Sequence, residues 1–120
     1  MYRITIERDY LRAELFGGST IEEMREFLLA ATEAALGHRR ERILISIHSS
    51  RPIFRIEEYG LCRCFKRLAA SAKFRAALLG DSEELRLSHQ YAELLAQRRG
   101  ARFRSFQDEV AALQWLKGAP

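Results

Sequence analysis

His48 and Ser49, followed by Glu57 and Glu58, bring together the residue types that cleave esters and amides. A hydroxyl can attack, an imidazole can take its proton, and a carboxylate can orient the imidazole. The hydroxyl does not sit in a Gly-x-Ser-x-Gly elbow, so a hydrolase using His48 and Ser49 is the least supported reading of this stretch. Ser49 and Ser50 read first as turn residues after a strand and second as phosphate acceptors. His48 then closes that strand with its ring partly packed. Cys62 and Cys64 lie two residues apart, about 200° around a helix, so they neither hold one metal nor bridge to each other. They read as small buried residues in a reducing compartment. His89 lacks a partner at helical metal-binding spacing and is expected to face solvent. No metal site and no cofactor follow from these residues.

Two basic clusters, His38-Arg39-Arg40-Glu41-Arg42 and Arg98-Arg99-Gly100-Ala101-Arg102, have the charge to contact phosphates. Each follows a helix and precedes a strand, where the carbonyl end of the helix dipole favours cations. With no Gly-rich nucleotide loop and no RNA-binding aromatic motif, a solvated face is the better account, and no nucleic-acid partner is expected.

The elements that position these residues follow from periodicity. Tyr2, Ile4 and Ile6 alternate with polar residues, as do Leu11, Ala13 and Leu15, so an antiparallel hairpin turning at Asp9 opens the chain. Ser19 or Thr20, each with a Glu three residues on, caps a helix carrying Ile21, Met24, Phe27, Leu28, Ala31 and Ala35 inward. Gly37 suits the left-handed residue that ends it. Ile43-Leu44-Ile45-Ser46-Ile47 reads as a central strand covered on both faces. A second helix carries Leu61, Phe65, Leu68, Ala69 and Ala72. Phe74 to Leu79 form a strand ended by Gly80, and Asp81 with Glu84 is placed to box the next helix, with Leu87, Tyr91, Leu94 and Leu95 inward. A short strand at 101–106 and a last helix at 107–117, with Val110, Leu113 and Leu116 on its apolar side, complete the order.

Strand–helix alternation of this kind requires right-handed crossovers and predicts an α/β fold. One mixed, mostly parallel five-stranded sheet is flanked by helices in the order ββαβαβαβα. In such sheets the binding surface lies beyond the carboxyl ends of the parallel strands, here at 48–52, 80–82 and 105–107.

The chain has 120 residues, 48% hydrophobic and 30% charged, with a net charge of +4. These proportions predict a single domain over residues 1–120 with its own core. No apolar run approaches the roughly 20 residues that cross a bilayer, and the first residues enter a strand pattern without a signal-peptide core. A cytoplasmic protein without membrane insertion is expected.

Two stretches, with this element order, resemble the STAS-like group of anti-sigma-factor antagonists and sulfate-transporter domains. In the antagonists the helix after the central strand opens with Asp, a hydroxyl pair, Gly and Leu, and one hydroxyl is phosphorylated by a partner kinase. In Ile56-Glu57-Glu58-Tyr59-Gly60-Leu61 the Gly and Leu are kept, Glu57 stands for the Asp, and Glu58 with Tyr59 replaces the hydroxyl pair. A carboxylate there suits a helix N-terminus but cannot be toggled by a kinase. The second stretch, Ala76-Ala77-Leu78-Leu79-Gly80-Asp81 with Phe103-Arg104-Ser105-Phe106 and Glu109 to Leu116, resembles the C-terminal half of SpoIIAA-like (STAS/SEC14-type) bacterial proteins.

The resemblance implies a non-enzymatic regulatory or protein-interaction module lacking the usual phosphorylatable pair. It would dock a protein partner or a second copy of itself around His48, Ser49, Ser50, Glu57, Glu58, Tyr59, Gly80 and Asp81. The alternative it implies is a SEC14-like carrier of a small apolar ligand or lipid, with Phe54, Tyr59 and Phe65 lining a cleft.

Overall fold

The structure, a computed structural model, describes residues 1–18, 20–48, 67, 74–98 and 100–118. Strands β1 (Tyr2–Ile6), β2 (Leu11–Phe16), β3 (Arg42–His48), β4 (Arg75–Gly80) and β5 (Phe103–Phe106) form one sheet in the order β1-β2-β3-β4-β5. β1 and β2 pair antiparallel, with Tyr2 opposite Leu15 and Ile6 opposite Leu11, and all other pairs are parallel. Helices α1 (Ile21–Gly37), α2 (Glu83–Arg98) and α3 (Glu109–Lys117) pack on it. This is the mixed, mostly parallel α/β sheet that the alternation predicts. The second helix of that reading lies outside the described residues except for Arg67, which is helical and donates to Glu33 of α1 at 3.3 Å.

Strand alternation sorts the side chains into two cores. Leu11, Ala13, Leu15, Ile43, Ile45, Ile47, Ala76 and Leu78 face one side, where Met24, Phe27, Ala31 and Ala35 of α1 and Leu85 and Ala96 of α2 cover them. Leu44 and Ala77 face the other, beneath Ala112 and Leu116 of α3 and beside Tyr10. Residues 43–47 are all buried, so β3 is covered on both faces, and each fully buried Leu or Ile there contributes roughly 1.5–3 kcal/mol. β1 is less buried than its alternation suggests: Tyr2 and Ile6 remain exposed at the sheet edge.

Thr20 caps α1 from extended backbone, accepting from the Glu23 amide at 3.1 Å, while its hydroxyl donates to the Glu23 carboxylate at 3.1 Å. The left-handed residue beyond this helix is Arg39 (φ 55°), not Gly37, because the helix continues through Gly37 and caps at His38. For α2 the cap is Ser82, whose Oγ accepts from the Leu85 amide at 3.1 Å; Asp81 lies one residue before the cap position. Asp108 caps α3 by accepting from the Ala111 amide at 2.8 Å, which starts that helix at Glu109 instead of Gln107. Val110 is exposed, and Ala112 takes the buried place beside Leu116.

The larger correction concerns α2. Its buried residues are Leu85, Ser88, His89 and Ala96, whereas Leu87, Tyr91 and Leu94 are exposed. Two stripes compete on this helix. Leu87, Tyr91 and Leu94 are the more apolar, but Ala92 and Ala96 allow close approach to the sheet. Gly80 completes that approach: a Cβ on it would lie 2.7 Å from Leu85 Cβ and 3.2 Å from His89 Cε1. Among the described residues no helix is long and apolar enough to cross a membrane.

Candidate functional site

The carboxyl ends of β3 and β4 meet the amino end of α3 at an open cleft of about 220 Å³. The pattern that buries Leu11, Ala13 and Leu15 on one face sends Arg12 and Glu14 to the other, which is this one. Parallel pairing then sets Glu14 opposite Ser46 and Phe16 opposite His48. His48 Nε2 lies 3.8 Å from Glu14 Oε2, and its ring stacks on Phe16 with centroids 4.9 Å apart and planes 11° from parallel.

Arg12 braces the floor of the cleft. Its Nη1 donates to Glu109 at the start of α3, its Nη2 donates to the Tyr10 hydroxyl at 3.0 Å, and its Nε lies 3.9 Å from Glu7. The Glu109 hydrogen bond, opposed by burial and helped by Tyr10, raises the Arg12 pKa above its ordinary value. The guanidinium is therefore committed to neighbouring side chains. Asp108 also lines the cleft, with its carboxylate engaged in the α3 cap.

Of the residues singled out in the sequence, the structure brings His48, Gly80 and Asp81 together around this cleft. Ser49, Ser50, Glu57, Glu58 and Tyr59 lie outside the described residues, as do Phe54, Phe65, Cys62 and Cys64. The carboxylate beside His48 is Glu14, which the sequence reading missed along with Arg12, Asp108 and Glu109. Period-two alternation already sends Arg12 and Glu14 away from the main core, but only the β2–β3 pairing carries them to His48. Among the described residues no three His, Cys, Asp or Glu side chains are arranged to hold a metal ion.

His89 corrects the expectation of a solvent-facing residue. It is 4% exposed and lies against Gly80 under α2, where its Nδ1 has no hydrogen-bond partner and burial pushes its pKa down to about 4.

The fold places this arrangement among known structures. The chain is similar to the crystal structure of an uncharacterised protein of the DUF3478 family, described as having a SpoIIAA-like fold, from Shewanella loihica PV-4. The match has a TM-score of 0.60 and 20% sequence identity, and covers 97% of this chain and 92% of that one. This fold is SpoIIAA-like. No family model matches the chain, and no curated protein matches it. At 20% identity the SpoIIAA-like likeness speaks for the fold alone.

Proposed function

We propose that this SpoIIAA-like chain is a non-enzymatic interaction module that docks a partner protein over the carboxyl-end cleft. The observation that carries the reading is the arrangement of polar groups there: Arg12 paired with Glu109 and Glu7, and the His48 ring set 3.8 Å from the Glu14 carboxylate. Arg12, held by carboxylates from β2's own hairpin and from the start of α3, fixes a pre-shaped polar surface, which favours specific docking over proton transfer. Its size supports the same reading. At about 220 Å³ and open to solvent, the cleft is smaller than the roughly 300–1,000 Å³ that enclose small ligands, which counts against an apolar carrier using this cleft.

Capture from the native cell extract tests the docking surface. His48→Ala and Asp81→Arg should each lose the proteins that the unaltered chain retains, while Val110→Glu, at an exposed position on α3 outside the cleft, should keep them. Retention of every partner by both cleft variants, with circular dichroism unchanged, would remove the assignment. A thermal shift produced by a lipid panel would instead revive the carrier reading.

A further inference from the structure

The outward face of α2 carries a pattern that no described residue of the chain covers. Glu84, Leu87, Tyr91, Leu94 and Arg98 follow one another at alternating steps of three and four residues, and all five are exposed. Leu87 is 54% and Leu94 60% exposed. Three- and four-residue steps place side chains in one seam along a helix, the spacing by which two helices pack side by side. α2 packs on the Leu78 side of the sheet and α3 on the Ala77 side, and at the β5 edge Leu87 borders an open groove of about 410 Å³ that Asp108 and Ala111 of α3 also line.

The occupant follows from symmetry and charge. Tyr91 is central, with Glu84 seven residues before it and Arg98 seven after. If a second α2 lies antiparallel across a two-fold axis at Tyr91, Glu84 of each copy meets Arg98 of the other, and Leu87 lies within one residue, about 1.5 Å along the axis, of Leu94. A parallel partner would instead set Glu84 against Glu84 and Arg98 against Arg98. The flank has the same symmetry, since exposed Gln90 lies near the axis and would face its own copy. A two-fold interface requires a self-complementary patch, and this one has an apolar centre with opposite charges at its ends.

We propose that two copies of this chain associate through α2, antiparallel about Tyr91, with Leu87 and Leu94 as the apolar contact and the Glu84–Arg98 pairs setting the orientation. This interface is separate from the carboxyl-end cleft and stands whether or not that cleft docks a partner.

Sedimentation equilibrium on the full chain over a concentration series tests it, with circular dichroism recorded for each variant. The unaltered chain should show a reversible monomer–dimer equilibrium, and Leu94→Glu should weaken it by at least about tenfold. Glu84→Arg, which sets arginine against arginine, should weaken it several-fold, and so should Arg98→Glu. Glu84→Arg combined with Arg98→Glu should restore the affinity, because the reversed pairs are again complementary. These charge variants sit on exposed helix positions and keep the test decisive if Leu94→Glu misfolds. A chain that stays monomeric up to about 1 mM overturns the proposal. So does a dimer indifferent to Leu94→Glu, or a double charge reversal that fails to restore what the single ones remove.

Discussion

The two ends of the parallel sheet solve the same problem, charged side chains beside a closed core, in opposite ways. At the carboxyl end, Arg12, Glu7 and Glu109 lie close together, and His48 lies beside Glu14. At the amino end three arginines crowd together. Arg42 and Arg75 are register partners, and the Arg102 carbonyl accepts from the residue after Arg75. Arg75 is 7% exposed; burial first, and then repulsion from Arg42 and Arg102, lower its pKa. What holds it is α3: its Nη1 donates to the Trp115 carbonyl at 2.7 Å, and the guanidinium lies 5.1 Å from the Trp115 ring centroid. At the amino end the buried cation is thus held by a backbone carbonyl and an indole of the helix, whereas at the carboxyl end Arg12 is held by carboxylates that line an open cleft. Carboxylates around an open cleft suit recognition, and a buried cation tied to a helix suits anchorage.

The largest effect that sharpens this contrast lies beneath the carboxyl end. His89 is held neutral by burial, with a folded pKa near 4 against an ordinary 6.5. A histidine with a depressed folded pKa costs nothing above pH 6.5, where both states are neutral. As pH falls through that value, the unfolded chain binds a proton that the fold refuses, so stability declines and levels off below about pH 4. The shift corresponds to about 3 kcal/mol. Urea unfolding of the unaltered chain and of His89→Leu at about pH 7 and pH 4 measures it: the variant should lose about that much less stability on acidification. Equal losses would mean that the imidazole is not sequestered.

The next effect breaks the anchorage. Arg75→Ala removes the donor to the Trp115 carbonyl and the cation over the indole, and should cost about 2 kcal/mol in urea unfolding. Arg75→Met keeps the stem over Trp115 and relieves the crowding with Arg42 and Arg102, so it should recover part of that loss. If the two variants are equally destabilised, the hydrogen bond and not the packing anchors α3.

The strands are legible in the sequence because period-two alternation survives in 11–15 and the unbroken apolar run 43–47 has few other uses than a doubly covered strand. The cap at Thr20 is local chemistry and equally legible. The orientation of α2 is not. Its most apolar stripe is the exposed one, and the buried stripe contains a histidine whose place is set by the missing side chain of Gly80, a contact between elements that no helical period contains. The cleft is half legible for a related reason. Loops beyond strand ends are local features, which brings out His48, Gly80 and Asp81, but Arg12 and Glu14 reach the cleft only through the parallel pairing of β2 with β3, in which Arg12 lies opposite Leu44 and Glu14 opposite Ser46.

The smallest effect tests whether the charge pairing at the cleft shapes the surface or stabilises the fold. The Arg12–Glu109 pair joins β2 to the first turn of α3, with the Glu109 side chain 50% exposed and the Arg12 side chain 21% exposed. Water reaches one partner freely, so most of the attraction is screened, and the coupling should not exceed about 1 kcal/mol. A double-mutant cycle with Arg12→Ala and Glu109→Ala isolates it from whatever each side chain does alone, including the Arg12 hydrogen bond to Tyr10. A coupling of this size leaves the fold indifferent to the pair and makes the positioning of the two charges its principal effect. Partner capture by the single variants then has a definite expectation: binding should fall while unfolding free energy hardly moves. A coupling of several kcal/mol would instead make the pair a structural tie like Arg75 and erase the difference between the two ends of the sheet.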